Sequence, residues 1–381
     1  GPPGTGKTFQ ASSAIVELMR NKKTIAVTAN SHKVIHNLLE QIEILAEEKK
    51  FNFSGLKKGN KDDEETYFNG NFVVTATDDR PFLNGLHEKS VQLYAGTKYH
   101  LSNAYYHQKI DYLFVDEAGQ MNITDIIAIG VIAKNIVLVG DQLQLGQPNR
   151  GSHPNDSGKS ILDFLLENKD TISEGKGIFL NKTFRLHPNI NTFTSASFYD
   201  GRLLTNIQSE NRTIQYPKNC MIKNDGIHFI AMNHIDNSQK SEEELKVIQN
   251  LIKKLIGANF IDNDQERKLD IEDILIVSPY NVQVNYLLGN LPKGSRVGTV
   301  DKFQGQQAPI TIISMVSSDT DSLPRNKSWF FNRNRLNVAL SRSQCSSIIL
   351  FNPQLLQTAP SDYEEIKLLN NFHKLLKYQV N

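Results

Sequence analysis

The first eight residues, Gly1 to Thr8, read GPPGTGKT. The spacing G-x-x-x-x-G-K-[ST] does a physical job. Its glycines let successive backbone N–H groups turn inward around an anion, its lysine reaches terminal phosphates, and its hydroxyl reaches Mg²⁺. Gly4, Thr5 and Gly6 would line that cradle, Lys7 would meet the β- and γ-phosphates, and Thr8 the metal. The stretch DYLFVDEAGQ adds acids where an apolar run ends. Asp116 is placed to hold Mg²⁺ through its water shell, and Glu117 to take a proton from an attacking water. Gln120 could orient that water. Further along, GDQLQL offers the amide of Gln144, TFRLHP sets Arg185 beside Phe184, and NVALSRSQ carries Arg342. Nucleotide hydrolysis is the expected chemistry, with Gln144 touching the γ-phosphate. Two arginines pressed against a bound nucleotide would stabilise the charge that develops in phosphoryl transfer, an effect of about 10³–10⁵ in rate.

A GTPase shares several of these parts, because DEAG fits D-x-x-G and Asn60–Asp63 reads NKDD. The order argues against it. Guanine recognition should follow the magnesium acid and a buried strand, whereas NKDD precedes Asp116 in a polar loop.

These residues need elements to hold them. Short apolar runs that read as strands are TIAVTA (24–29), FVVTAT (72–77), DYLFVDEA (111–118), NIVLVGD (135–141) and GIFLN (177–181). A second set follows: IHFIAM (227–232), DILIVSP (273–279), RVGTV (296–300), ITIISMV (310–316) and SIILFN (347–352). Many are apolar on consecutive positions, as strands buried on both faces should be. Their alternation with helical patterns predicts an α/β chain with parallel sheets. The helix after the phosphate loop shows apolar Ala11, Ala14, Ile15, Leu18 and Met19 on one face. SEEELKVIQNLIKKLIG predicts another, with a capping box from Ser241 to Glu244, a stripe of Leu245, Ile248, Leu251, Ile252 and Leu255, and a stop at Gly257. LKKGNKDDEET (56–66) reads as a charged surface loop, and 149–160 as a Gly/Pro/Asn/Ser loop.

A chain of 381 residues suits two domains, here 1–175 with both nucleotide motifs and 176–381 with the arginines. Net charge is +1 from 42 basic and 41 acidic residues, so a nucleic-acid site would be a local groove rather than a basic surface. The two cysteines, Cys220 and Cys345, lie far apart and form no disulfide framework or zinc spacing, which suits a cytoplasmic location. No apolar run is long enough to span a membrane. A phosphate loop normally springs from a buried strand, so an upstream strand in a longer parent is expected.

The ordered set GPPGTGKT, DEAGQ, GDQLQL, TFRLHP, TVDKFQGQQ and NVALSRSQ resembles the motifs of superfamily 1 helicases over residues 1–352. The DEAGQ form is similar to the branch holding the nonsense-mediated-decay RNA helicase and the eukaryotic replication nuclease-helicase. Connecting stretches such as FYDGRL and NRLNVALSRSQ look like a bacterial group in which a RecB-like nuclease domain precedes this core. The resemblance implies two RecA-like P-loop domains in tandem with ATP in the cleft between them, and 5′→3′ movement on a single strand. A monomer is expected, and DNA is favoured over RNA on the bacterial likeness alone. By the same resemblance Phe184 stacks on the adenine, while Gly305 with Gln304 links ATP to the strand. It also implies strand contacts at Asn30, Ser31 and His32, at Gly96 and Thr97, and at Pro279 and Tyr280. Thr183 stands where the family often has Gln. Two other readings remain open, an AAA-type remodelling ATPase and a nucleotide-dependent binding module without turnover.

Overall fold

The computed structural model describes residues 1–146, 154–167, 169–263, 265–303, 305–321 and 323–380. Two compact units emerge. One comprises Gly1, 6–142 and 146–180, and the other 2–5, 143–145 and 181–381.

In the first unit, helices α1 (Lys7–Arg20), α2 (His32–Glu48), α3 (Arg80–Glu88), α4 (Lys98–Leu101), α5 (Ile123–Gly130) and α6 (Ile161–Leu166) accompany six strands. The strands are β1 (Ile25–Thr28), β2 (Gly55–Lys58), β3 (Val73–Ala76), β4 (Leu93–Ala95), β5 (Ile110–Val115) and β6 (Ala133–Leu138). They form one sheet in the order β3-β2-β4-β1-β5-β6, with every pairing parallel. All four residues of β1 are buried, which is why Ile25, Ala26 and Val27 run apolar on consecutive positions rather than alternating. One core cluster joins Ile15, Met19 and Ile35 to the sheet, and a second joins Phe82, Tyr106 and Ile129 to it. The register pairs Thr28 with Val115 and Val27 with Ala95. Asn30–His32, Gly96 and Asp116 therefore leave the sheet along one carboxyl-terminal edge, where parallel α/β sheets bind ligands.

The second unit is built on a five-stranded parallel sheet. Two short strands, β7 (Lys182–Thr183) and β8 (Leu204–Thr205), pair with each other. The main sheet uses β10 (Gly226–Ala231), β13 (Ile274–Val277), β14 (Arg296–Gly298), β15 (Ala308–Ser314) and β16 (Ser343–Phe351), ordered β10-β16-β15-β13-β14. A separate antiparallel ribbon joins β9 (Thr213–Gln215), β11 (Asn259–Asp262) and β12 (Gln265–Lys268). Helices α7 (Pro188–Phe198), α8 (Ile207–Glu210), α9 (Glu242–Leu255), α10 (Asn281–Asn290), α11 (Lys327–Phe330), α12 (Arg333–Leu340) and α13 (Tyr363–Leu376) complete it.

Three expectations need correction. GIFLN forms no strand, and Ile178 is 85% exposed, so the run finds no sheet to bury it. Residues 56–58 belong to β2 rather than to a surface loop, and Lys57 is fully buried there. The capping box at α9 is half made. Ser241 Oγ accepts from the Glu244 N–H at 3.1 Å, but the Glu244 carboxylate is taken by Ser314 Oγ and the Val316 N–H. The Ser241 N–H donates to Gln283 instead. The apolar stripe of α9 is buried at the residues the periodicity names. In α1, Val16 joins the buried face and Ala14 turns outward. Part of the 149–160 loop lies outside the described residues.

Candidate functional site

The phosphate loop has the backbone its sequence requires. Gly4 and Gly6 hold φ of +70° and +76°. Any L-residue at Gly4 would cost about 1–2 kcal/mol for that conformation, and its Cβ would fall 2.5 Å from the Arg185 Cβ. The helix that follows, α1, opens with no side-chain cap and no acid in its first turn, so its leading N–H groups remain available to an anion. Lys7 Nζ donates to the Gly1 carbonyl at 2.8 Å, and Thr8 is half-buried at the second position of the helix. The residues present thus fit a nucleotide phosphate.

Asp116 directly follows β5 with 4% exposure. Burial and the neighbouring Glu117 charge push its carboxyl up to about 6, while Lys7 pulls the other way. The phosphate-loop lysine and the strand-end acid therefore share one electrostatic environment. A buried carboxylate held at such a cost suits Mg²⁺, which takes one or two carboxylates plus phosphate oxygens. Glu117 sits in a left-handed conformation at φ 51°, which breaks the extended path of the strand. This turn packs backbone to backbone on the next one. A Cβ on Gly140 would stand 2.9 Å from the Ala118 N, so the glycine of GDQLQL is needed for close approach.

On the same sheet edge, Asn30 Nδ2 donates to Gln120 Oε1 at 3.4 Å, joining the first strand-contact stretch to the acidic turn. Ser31 caps α2, its Oγ accepting from the Val34 N–H at 3.3 Å. Gly96 packs under His100, and Thr97 precedes α4. His32 is half-buried and has a partner that sequence reading missed. Lys57 Nζ lies 3.3 Å from His32 Nδ1 and also donates to the carbonyls of Lys58 and Thr66. An ammonium can only donate, so Nδ1 accepts and the ring proton of neutral His32 sits on Nε2. Burial pushes Lys57 down to about 8 and, with the Lys57 charge, holds His32 below the usual histidine range. Nothing in LKKGN distinguishes Lys57 from a solvated lysine except its place in a strand.

The second unit gathers cations. Arg342 is 2% exposed, and its Nη1 donates to the Gln306 carbonyl at 3.1 Å. Arg185 Nη1 donates to the Ser341 carbonyl at 3.1 Å. Burial and the adjacent Arg342 charge push Arg185 down to about 9. A buried guanidinium and a half-buried one that repel each other make a natural seat for an anion. Phe184 beside them is 49% exposed, its N–H donating to the Gly4 carbonyl at 2.8 Å, and Thr183 Oγ1 donates to the Pro3 carbonyl. Gly305 adopts φ +80° next to Gln306, the residue that holds Arg342, while Gln304 lies outside the described residues. The GDQLQL segment is gripped through its main chain. Asn337 Nδ2 donates to the Leu143 carbonyl at 2.8 Å and Asn334 Nδ2 to the Gln144 carbonyl at 2.9 Å. Gln144 itself is buried. Neither asparagine was singled out by spacing. Pro279 follows β13 and is half-buried, whereas Tyr280 is only 5% exposed.

Comparison with known proteins accords with this arrangement. A family model described as an AAA domain matches residues 158–354, and a second with the same description matches 1–158. The DNA replication ATP-dependent helicase/nuclease dna2 of Schizosaccharomyces pombe is 26% identical, covering 97% of this chain and 27% of its own length. The ATP-dependent helicase upf1 of the same organism is 24% identical over 93% of this chain and 43% of its own length. The chain thus spans well under half of these relatives. The crystal structure of Arterivirus nonstructural protein 10 (helicase) matches with a TM-score of 0.50 at 13% identity, covering 96% of this chain and 60% of that one, a likeness of fold. No helix among the described residues is long and apolar enough to cross a membrane. With both sheets parallel, the acidic turn on one and two arginines beside the other, and with helicases among its relatives, the chain belongs to the AAA domain family.

Proposed function

We propose that this chain is the motor of an ATP-dependent translocase or helicase that moves 5′→3′ on single strands, with DNA as its track. The observation that carries the reading is the environment shared by Lys7, Asp116 and Glu117: a phosphate-gripping lysine, a buried metal-type acid and a second carboxylate on one sheet edge. Gly4, Thr5, Gly6, Lys7 and Thr8 bind the nucleotide phosphates, and Thr8 with Asp116 holds Mg²⁺, which supplies charge neutralisation at the terminal phosphates. Glu117 accepts the proton of the attacking water, Gln144 senses the γ-phosphate, and Arg185 with Arg342 offsets developing negative charge. Phe184, with half its surface exposed, offers a face to the adenine. Asn30, Ser31, His32, Gly96, Thr97 and Pro279 contact the strand with amides, hydroxyls and an imidazole, groups that grip without reading sequence. We take the two compact units as the two RecA-like domains, with the chain dividing near 175–180.

The choice of DNA rests on the replication helicase/nuclease among the relatives; an upstream nuclease domain and a monomeric state belong to the same proposal. The test is strand-stimulated ATP turnover, measured without nucleic acid, with single-stranded DNA and with single-stranded RNA at one salt concentration. Stimulation by DNA above RNA is expected, and preference for RNA would reassign the track.

A further inference from the structure

The resemblance assigns a strand contact to Tyr280, yet that ring is covered. It stacks on Trp329 with centroids 5.8 Å apart at 27° and on Phe330 at 6.3 Å and 22°. Its hydroxyl lies 3.5 Å from Ser317 Oγ. At 5% exposure it has no face left for a base. The member of this stack that reaches solvent is Trp329, half-buried in the short helix α11.

Trp329 carries two guanidiniums, the Arg325 carbon 4.4 Å and the Arg335 carbon 4.6 Å from its ring centroid. Arg335 approaches one carboxylate, Asp301, at 3.5 Å. Arg325 is exposed and makes no ion pair among the described residues. Two cations gathered on one indole repel each other, and one half-exposed acid does not balance them. Cation–π attraction holds them there, and a guanidinium over a ring keeps N–H donors for a further partner. Those donors match the two free oxygens of a phosphodiester.

We infer that Arg325 and Arg335, laid on Trp329 and supported from beneath by Tyr280, form a clamp for the phosphodiester backbone of a single strand. The inference rests on the strand-translocating function proposed above. Tyr280 is then a positioning residue, and the contact its motif implies is made one layer further out.

Trp329 is the single tryptophan of the chain, so intrinsic emission reports from the clamp itself. Labelled oligothymidylate is titrated into the protein while its anisotropy and the tryptophan emission are followed together at several salt concentrations. Emission and anisotropy should change with one midpoint. Arg325→Gln should weaken binding about tenfold and reduce the salt slope by about 0.7, the loss of one phosphate contact. The strand concentration giving half-maximal stimulation of ATP turnover should rise by the same factor of about ten. Rising anisotropy with unchanged emission, and an Arg325→Gln variant with the parent's affinity and slope, would overturn the clamp while leaving strand binding intact. If the oligonucleotide neither binds nor stimulates turnover, the proposed function itself fails and the clamp with it.

Discussion

The two units handle a polyanion by opposite means. In the first, the left-handed Gly6 opens α1 toward an anion, and the carboxylates of Asp116 and Glu117 are the proposed cation holder and proton acceptor. In the second stand guanidiniums: the half-buried Arg185 feels the charge of the buried Arg342, and Arg325 and Arg335 share an indole. A backbone cradle is specific in shape and fixed in place. Guanidiniums are specific in charge and pay a desolvation cost that an arriving phosphate offsets.

The contrast can be broken at several points. The largest effect is expected from Lys7→Ala, which should abolish turnover with little change in melting temperature, since Lys7 is half-exposed at the start of α1. Normal turnover in that variant would remove the phosphate-loop assignment. Arg342→Ala should slow hydrolysis about 10³-fold while changing nucleotide affinity far less, as a group acting on developing charge does. Equal loss of both, in a folded protein, would make Arg342 a binding residue. Lys57→Met leaves His32 free to exchange tautomers. Affinity for single-stranded DNA should fall about fivefold, the worth of one hydrogen bond, with turnover at saturating strand retained. Lys57→Gln keeps a donor and should restore both affinity and the Nε2-protonated ¹⁵N signature of His32. A Met variant with the parent's signature would show that Lys57 does not set the tautomer.

The smallest effect concerns acid. His100 is buried, its Nε2 2.8 Å from the Tyr106 hydroxyl, and burial pushes it down to about 4. Unfolded, it would bind its proton near 6.5, so between these values the unfolded chain holds more protons and stability falls as pH drops. Near pH 4 the loss from His100 should be about 3 kcal/mol, or roughly 9 °C in the first unit. The difference in melting temperature between pH 7 and pH 4 should shrink in His100→Gln, and an undiminished difference would assign the acid lability to other groups.

How legible each site is follows from the same contrast. The phosphate loop and acidic turn are visible in the sequence because backbone geometry dictates their residues: glycine where φ is positive, acids where a buried strand ends. The parallel strands are visible because burial on both faces enforces continuous apolar runs. GIFLN shows the limit, since an apolar run without a neighbouring strand to pair with remains a loop. Lys57, Asn334 and Asn337 were invisible for a related reason. Their roles come from long-range contacts, to His32 and to the Leu143 and Gln144 carbonyls, and no local spacing encodes those. Glu244 looked like a local cap because its spacing to Ser241 is that of a capping box, but β15 and the turn after it claimed its carboxylate. The arginines were found through the residues around them rather than through any chemistry of their own.

The central claim is that hydrolysis in the first unit is coupled to a strand, and steady-state ATP turnover of the protein beside a Glu117→Gln control tests it most directly. The account predicts turnover that single-stranded DNA stimulates and that falls by about 10²–10⁴ in the control with or without strand. Turnover that is lost in the control yet indifferent to DNA and RNA alike would contradict it, leaving an ATPase that drives something other than movement on nucleic acid.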